Sequence, residues 1–343
     1  MNLKDQVNET QKTNFNEETT IEKEVSKETS IPYGYIPIQL SSKGKFDCPE
    51  TIHVRNYTSS DLLEISSQAD DHIIEGSMKL LNNVVLEDID TSKLTDKEVI
   101  EIYLAIYANW WGETIEGYQY PIEDEDINFL KEKNKYDLIQ KIIDETFKPE
   151  VDLSIEKISI QQIADEFKEP IRVKDSDSGK DIYLRIPRIG DGIIAKKYIN
   201  KLFKKNEEKA LSIRKKLEKE KLYKVIDRSI SEEDRYFYEE YSDRKAIATI
   251  EALQACMILS YDNKDDIPYE EKIQLVHSGE INTSVWIKFQ NFLNKYPYGV
   301  QNNVLIYSPI LEKEVERRFL FRPLDFIPTG ESKDSDRYDI SFG

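Results

Sequence analysis

Residues Val300–Pro328 read VQNNVLIYSPILEKEVERRFLFRPLDFIP. Two runs within this stretch, Val304–Tyr307 and Val315–Phe321, are rich in β-branched and aromatic residues, which favours strands. The Ser308-Pro309 pair and a charged Glu-Lys-Glu run separate them, as expected for a turn. The stretch therefore predicts two strands joined by a turn.

Three phenylalanines near the end of this stretch are predicted core residues. Phe319 and Phe321 lie two apart, so a strand would point both side chains to the same face. Pro323 has no backbone N–H to donate and should end the pairing. We predict that Phe319, Phe321 and Phe326 pack in the core of a second module, which needs them to fold.

Composition narrows the class of protein. The chain has 343 residues, of which 39% are hydrophobic, and this predicts two domains rather than one. It has no apolar run near the ~18 residues of a membrane-spanning helix, and residues 1–30 lack the apolar core of a secretory signal peptide. Cys48 and Cys256 are the only cysteines, which fits a reducing compartment. The net charge of −18 argues against wholesale nucleic-acid binding.

The first half predicts short strands followed by helices. Apolar and polar residues alternate in 36–40 and 52–57, as in strands with one buried face. Thr95 and Glu98 have the spacing of a capping box, and apolar residues follow at helical intervals. This helix ends with two adjacent tryptophans, Trp110 and Trp111, which we expect in the core or at a subunit interface.

The second half predicts strand pairs around a helical insertion. Residues 171–174 and 181–186 have the pattern of a hairpin, and 193–293 has a helical pattern throughout. We expect this hairpin and the Val300–Pro328 strands to share one small sheet. The predicted fold is α+β: a disordered arm at 1–30, an N-terminal α+β module at 31–150, a second α+β module at 151–330 with its insertion at 193–293, and a polar tail at 331–343.

Sequence motifs do not indicate catalysis. None of the three histidines has a cysteine or carboxylate at metal-ligand spacing. The 175–181 loop fails as a calcium site because its glycine is fifth rather than sixth and its twelfth position is isoleucine. The Gly-Asp-Gly run at 190–192 lacks the Lys-Ser/Thr of a phosphate loop. Acidic clusters at 88–90 and 123–126 are typical of solvated loops. We predict no enzyme activity, no cofactor and no metal.

A basic run at 196–224 stands out in this acidic chain. It holds twelve Lys and Arg residues against four acids, a net charge of +8, so the rest of the chain carries −26. Three interpretations are open: a solvated helix with Glu–Lys pairs, a docking surface for an acidic partner or a second copy, and a nucleic-acid site. The candidate partner-binding residues are Lys204, Lys205, Lys215, Lys216, Trp110 and Trp111.

Several motifs resemble one family. The PYGV run from Pro297, followed by RRFLFRPLDFIP from Arg317, resembles the end of the T4-type phage baseplate hub family. The SKG turn at 42–44, the VRxxTSxD run at 54–61 and the LTDKE helix at 94–98 occur in the order of that family's N-terminal region. The similarity covers roughly 36–112 and 297–328 and leaves the helical middle unmatched.

The resemblance implies a structural or assembly component of a contractile-tailed phage baseplate hub. Such a protein acts by binding other baseplate and tail proteins or further copies of itself. It would lie in the virion after assembly in the host cytoplasm. The alternatives are a tail-assembly chaperone absent from the virion and a nucleic-acid-binding module that uses the basic run.

Overall fold

A computed structural model describes residues 31–66, 73–223 and 230–327. The chain divides into two compact units, Met1–Tyr35 and Ile36–Gly343, and the fold described below is that of the second. The arm predicted at 1–30 and the tail predicted at 331–343 lie outside the described residues.

The described residues form nine α-helices and eleven strands, and the fold is α+β, as predicted. The helices are α1 Ser59–Ser66, α2 Ile73–Val84, α3 Asp96–Trp110, α4 Asp124–Glu132, α5 Tyr136–Ile143, α6 Ile189–Tyr223, α7 Glu232–Met257, α8 Tyr269–His277 and α9 Thr283–Lys295. The strands are β1 Tyr35–Gln39, β2 Thr51–Arg55, β3 Thr114–Gln119, β4 Glu150–Ser154, β5 Ile160–Gln161, β6 Ile171–Lys174, β7 Asp181–Leu184, β8 Ile258–Tyr261, β9 Gly299–Val300, β10 Asn303–Tyr307 and β11 Glu314–Arg318.

Local signals place several elements as predicted. Thr95 caps α3: its side chain accepts from the backbone N–H of Glu98, and the Glu98 carboxylate accepts from the Thr95 N–H at 2.8 Å. Strands β6 and β7 form the expected hairpin, from Ile171 opposite Leu184 to Lys174 opposite Asp181. Strands β10 and β11 form the second one.

The expectation of one shared sheet is wrong. Strands β10 and β11 form a two-stranded sheet of their own, whereas β7 lies between β6 and β8 in a three-stranded sheet. The third strand, β8, comes from the region predicted to be helical throughout. It follows α7 directly, because Ile258 takes extended backbone angles and is fully buried. The four residues of β8, Ile-Leu-Ser-Tyr, are too few for their periodicity to separate a strand from a helix.

Two large cores hold most of these elements, and a small third one joins α6 to α7 through Ala195, Ile199 and Ala252. The two large cores do not follow the predicted division at residue 150. That position lies in β4, which pairs with β3 across the expected boundary. The first core combines α3 and its neighbours with the C-terminal strands, and includes Leu40, Ile52, Leu81, Ile102, Leu153, Val304 and Phe326. The second core surrounds the three-stranded sheet, and includes Phe46, Phe167, Ile182, Ile258, Val285 and Tyr298.

Phe319, Phe321 and Phe326 are all buried, but they lie in the first core. The rings of Phe319 and Phe321 stack with centroids 6.3 Å apart, and Tyr118 of β3 meets both edge-on. The Tyr118 hydroxyl also donates to the Leu320 carbonyl at 3.0 Å. Strand β11 ends at Arg318, before the phenylalanines. The residues that follow it therefore pack against β3 rather than continue the strand.

Candidate functional site

Helices α6 and α7 pack against each other as an antiparallel pair, called here the hairpin. At about 1.5 Å per residue, the 35 residues of α6 span about 52 Å. The rings of Phe203 and Tyr241 meet edge to face at 5.4 Å, and Lys209 pairs with Asp234 at 2.9 Å. These contacts limit the register in which the two antiparallel helices pack.

The first residues of α6 pack against Ser92 and helices α2 and α8. Gly190, at the start of α6, lies so close to Ser92 that an added Cβ would meet the Ser92 Cβ at 2.8 Å. Lys196 forms an ion pair with Glu75 of α2 at 3.6 Å. The rings of Tyr198 and Tyr269 of α8 meet edge to face, with their centroids 6.0 Å apart. From Phe203 onward, the contacts described above join α6 to α7.

One face of α6 carries exposed lysines, called here the lysine stripe. At about 100° per residue, they fall on one arc of about 100°, opposite the buried Ile199, Ala210 and Ile213. None of them forms an ion pair with any residue that the structure describes. Helix α6 as a whole carries eleven basic and five acidic residues. The lysine stripe consists of Lys201, Lys204, Lys205, Lys215 and Lys219.

The outer face of α7 has the opposite character and is called here the acidic–apolar stripe. Its carboxylates are exposed and, within the described ranges, unpaired, while its apolar side chains are 56–68% exposed. Helix α7 carries seven acidic and three basic residues. The stripe consists of Glu232, Tyr236, Glu239, Asp243, Ile247 and Ile250.

The predicted partner-binding residues fall on two different elements. Lys204, Lys205 and Lys215 are exposed on the lysine stripe, whereas Lys216 is half-buried. The pKa of Asp234 on α7 is lowered by hydrogen bonds from Lys209 and Ser231, and the charge of Lys216 lowers it further.

The tryptophan pair lies at the end of α3. Trp110 is half-buried and packs against the first core. Trp111 is 41% exposed, and its Nε1 donates to Asn56 Oδ1 at 2.9 Å. These partners give the pair a packing role at the edge of the first core.

The burial of two carboxylates was not predicted from the sequence. Glu98 and Glu101, one turn apart on α3, are 0% and 2% exposed. Burial raises the pKa of Glu101 to about 7, although hydrogen bonds from the hydroxyl and backbone N–H of Ser41 act in the opposite direction. Burial also raises the pKa of Glu98. Helical spacing puts both residues on the same face of α3 as Ile102. This spacing was the sequence signal that could have predicted their burial.

These carboxylates resemble an acid/base pair but are sealed from solvent. A cleft of about 630 Å³ lies elsewhere: its lining residues are Ile122, Glu123, Asp124, Glu125, Ile127 and Ile142. A substrate reaching that cleft would not meet either buried carboxylate. The geometry therefore favours a structural role for the pair.

The 175–181 loop is held by its own neighbours. The Asn282 side-chain amide donates to Asp175 at 3.1 Å and to Asp177 at 2.9 Å. The Lys288 ammonium donates to the Lys174 carbonyl at 2.8 Å. Donors thus occupy the oxygens that a cation would need. Across the described part of the chain, no three His, Cys, Asp or Glu side chains are grouped to hold a metal ion.

The two cysteines are buried and unpaired. Burial, with the nearby charges of Glu98 and Glu87, raises the pKa of Cys48 to about 12. Burial beside Asp191 raises the pKa of Cys256 to about 11. Both thiols therefore stay protonated at neutral pH, and a thiol is a poor nucleophile.

Comparison of the chain with protein-family models, curated proteins and solved structures returns no match. Within the described residues, no helix is both long and apolar enough to cross a membrane. Function therefore has to be inferred from the residues and their geometry.

Proposed function

We propose that this protein is a structural or assembly component that acts by binding other proteins through its hairpin. The observation that carries the proposal is the lysine stripe, a row of exposed and unpaired cations on an acidic chain. The docked partner would present carboxylates, since ion pairs across an interface steer association and fix its register. We propose no catalytic reaction.

The motif resemblance supports the proposal that this component belongs to the baseplate hub of a contractile-tailed phage and stays in the virion, where it contacts other tail proteins. A tail-assembly chaperone would use the same stripe but leave before the particle is complete. Mass spectrometry of purified particles separates the two. We expect stoichiometric peptides of this chain, whereas peptides found only in infected lysate would support the chaperone.

Charge reversal tests whether the lysine stripe does the binding. The variant Lys204→Glu/Lys205→Glu/Lys215→Glu should fold normally and be lost from particles. The matched control reverses three exposed lysines outside the hairpin, Lys131, Lys148 and Lys168, with the same change in net charge. If both variants enter particles like the wild type, the hairpin is not the docking element.

The lysine stripe also supports a second candidate function, nucleic-acid binding, because a row of cations can contact successive phosphates. The acidic–apolar stripe on the neighbouring helix opposes it, since its carboxylates would repel a wrapped backbone. Titration with a random DNA duplex at several salt concentrations tests this alternative.

A further inference from the structure

We propose that the lysine stripe binds the acidic–apolar stripe of a second copy of this chain, so that copies join head to tail. This inference rests on the proposed function and names the partner of the same surface. One helix of the hairpin supplies the cations, and the other supplies the carboxylates. Each copy therefore carries both halves of the interface.

The two halves point in opposite directions. The lysine stripe lies on the side of α6 away from α7, and the acidic–apolar stripe lies on the side of α7 away from α6. Within the described residues, the acidic–apolar stripe therefore cannot pair with the lysine stripe of the same chain. A second copy standing beside it can, with α6 of one copy against α7 of the next and the two helices antiparallel.

Register supports this pairing. Within one hairpin, Phe203 contacts Tyr241 and Lys209 pairs with Asp234, while Glu207 pairs with Lys245 and Glu220 with Arg235. The first two contacts and the last two differ in register, and the levels given next lie between them. A parallel copy at the same height keeps those levels. Across the contact, Lys204 then comes level with Asp243, and Lys215 comes level with Glu232. Leu211, at the margin of the lysine stripe, reaches the height of Tyr236.

Apolar burial would supply most of the stability. Exposed ion pairs contribute little by themselves. Leu202 and Leu211 of α6 are 55% and 46% exposed, while Tyr236, Ile247 and Ile250 of α7 are 68%, 56% and 56% exposed. The contact would remove these side chains from water, and the flanking charges would set partner and register.

The geometry also fixes the type of assembly. The contact joins two different faces, so it is heterologous, and each copy keeps one free face of each kind. Such contacts build rings or open rows rather than an isolated two-fold dimer.

Sedimentation velocity of the full chain tests the proposal. We expect a concentration-dependent series of oligomers up to about 100 µM, a range that covers micromolar contacts. About 1 M salt, where the Debye length is about 3 Å, should weaken it. The variants Lys204→Glu/Lys215→Glu and Glu232→Lys/Asp243→Lys, which reverse residues that face each other, should each weaken association at least about tenfold, because attraction becomes repulsion.

Mixing the two variants gives the sharpest result. Each variant retains one intact face, and the two altered faces have exchanged charges that are complementary to each other, so an equimolar mixture should regain the series of oligomers that either variant alone has lost. A single chain carrying all four substitutions should regain association, because its charges are exchanged but still complementary. A folded wild-type chain that stays monomeric throughout would overturn the proposal, and so would a mixture that does not pair.

The outcome is separable from that of the proposed function. If the chain is monomeric while the triple lysine reversal still excludes it from particles, the partner is a different protein and only this inference fails. If the lysine reversals change neither self-association nor incorporation, both proposals fail.

Discussion

Arg317 and Asp126 form an ion pair inside the first core, with Nη2 of the arginine 3.1 Å from Oδ2 of the aspartate. Their side chains are 3% and 0% exposed. The hydroxyl of Tyr120 donates to Asp126 at 2.7 Å and accepts from Nε of Arg317 at 3.1 Å. This network ties β11 to the start of α4, 191 residues away in sequence.

Breaking this pair should destabilise the fold strongly. Asp126→Ala removes the one fully buried carboxylate beside the guanidinium and leaves only the longer contacts with the half-exposed Glu123 and Glu125, at 3.6 and 3.7 Å. We expect a loss of up to about 3–5 kcal/mol in the free energy of unfolding. The double variant Asp126→Ala/Arg317→Met should lose less than the sum of the two single variants, because it removes both charges. Urea unfolding measures all three. Strict additivity would show that the two side chains are not coupled.

The C-terminal phenylalanines should behave as core residues. Phe319→Ala or Phe321→Ala should cost about 3–5 kcal/mol in urea unfolding, from lost burial and the cavity left behind. Leu320 lies between them but is 69% exposed, so Leu320→Ala is the matched control and should cost under about 0.5 kcal/mol. Variants of both phenylalanines that fold with wild-type stability but fail to assemble would identify the segment as an interface instead.

Glu101 should make stability depend on pH. Its pKa is raised from 4.5 to about 7, so between these values the folded chain holds a proton that the unfolded chain releases. The free energy of unfolding should therefore fall as pH rises through this window, by about 3 kcal/mol for this group alone, and stay low above it.

The variant Glu101→Gln removes this titration. Its stability should vary less with pH across the window and exceed that of the wild type above pH 7. Glu132→Gln, at an exposed position, is the control and should follow the wild type. A parallel pH dependence in wild type and Glu101→Gln would show that Glu101 does not titrate there. Burial raises the pKa of Asp61, but hydrogen bonds from Arg55 and Thr58 lower it further, to about 2. Asp61 therefore affects stability only at more acid pH.

Nucleic acid should bind weakly. A random duplex titrated at low salt should show no saturable binding, because the rest of the chain outside the basic run is strongly acidic. If all five lysines contacted phosphates, the logarithm of the affinity would fall with the logarithm of salt concentration with a slope of about −4.5. A slope of that size, abolished by the triple lysine reversal, would favour the nucleic-acid alternative.

Local sequence signals predicted local structure. The Thr95 capping box, the β6–β7 hairpin and the β10–β11 strands follow from residues within a few positions of each other. The basic run also proved to contain a one-sided lysine stripe, because helical spacing places its lysines on one arc.

Features that depend on distant partners were not predicted. The phenylalanines after β11 were expected in the second module, yet their neighbour is Tyr118, about 200 residues earlier in the chain. Burial of Glu101 depends on the loop at Ser41, which its own helix does not specify. Which faces of a helix meet another element is a tertiary property, so spacing alone could not distinguish a buried carboxylate from a solvated one.

The first core includes both Leu40 and Phe326, so it cannot close until almost all of the described chain has left the ribosome. During synthesis, the apolar faces of α2 and α3 stay exposed until the strands that cover them, which are translated last, have been made. An interrupted chain could still form a hairpin from α6 and α7, but its first core would remain open and exposed to proteases. Closure of the first core therefore depends on the C-terminal strands, and a chain that ends before them should be degraded faster than one that contains them.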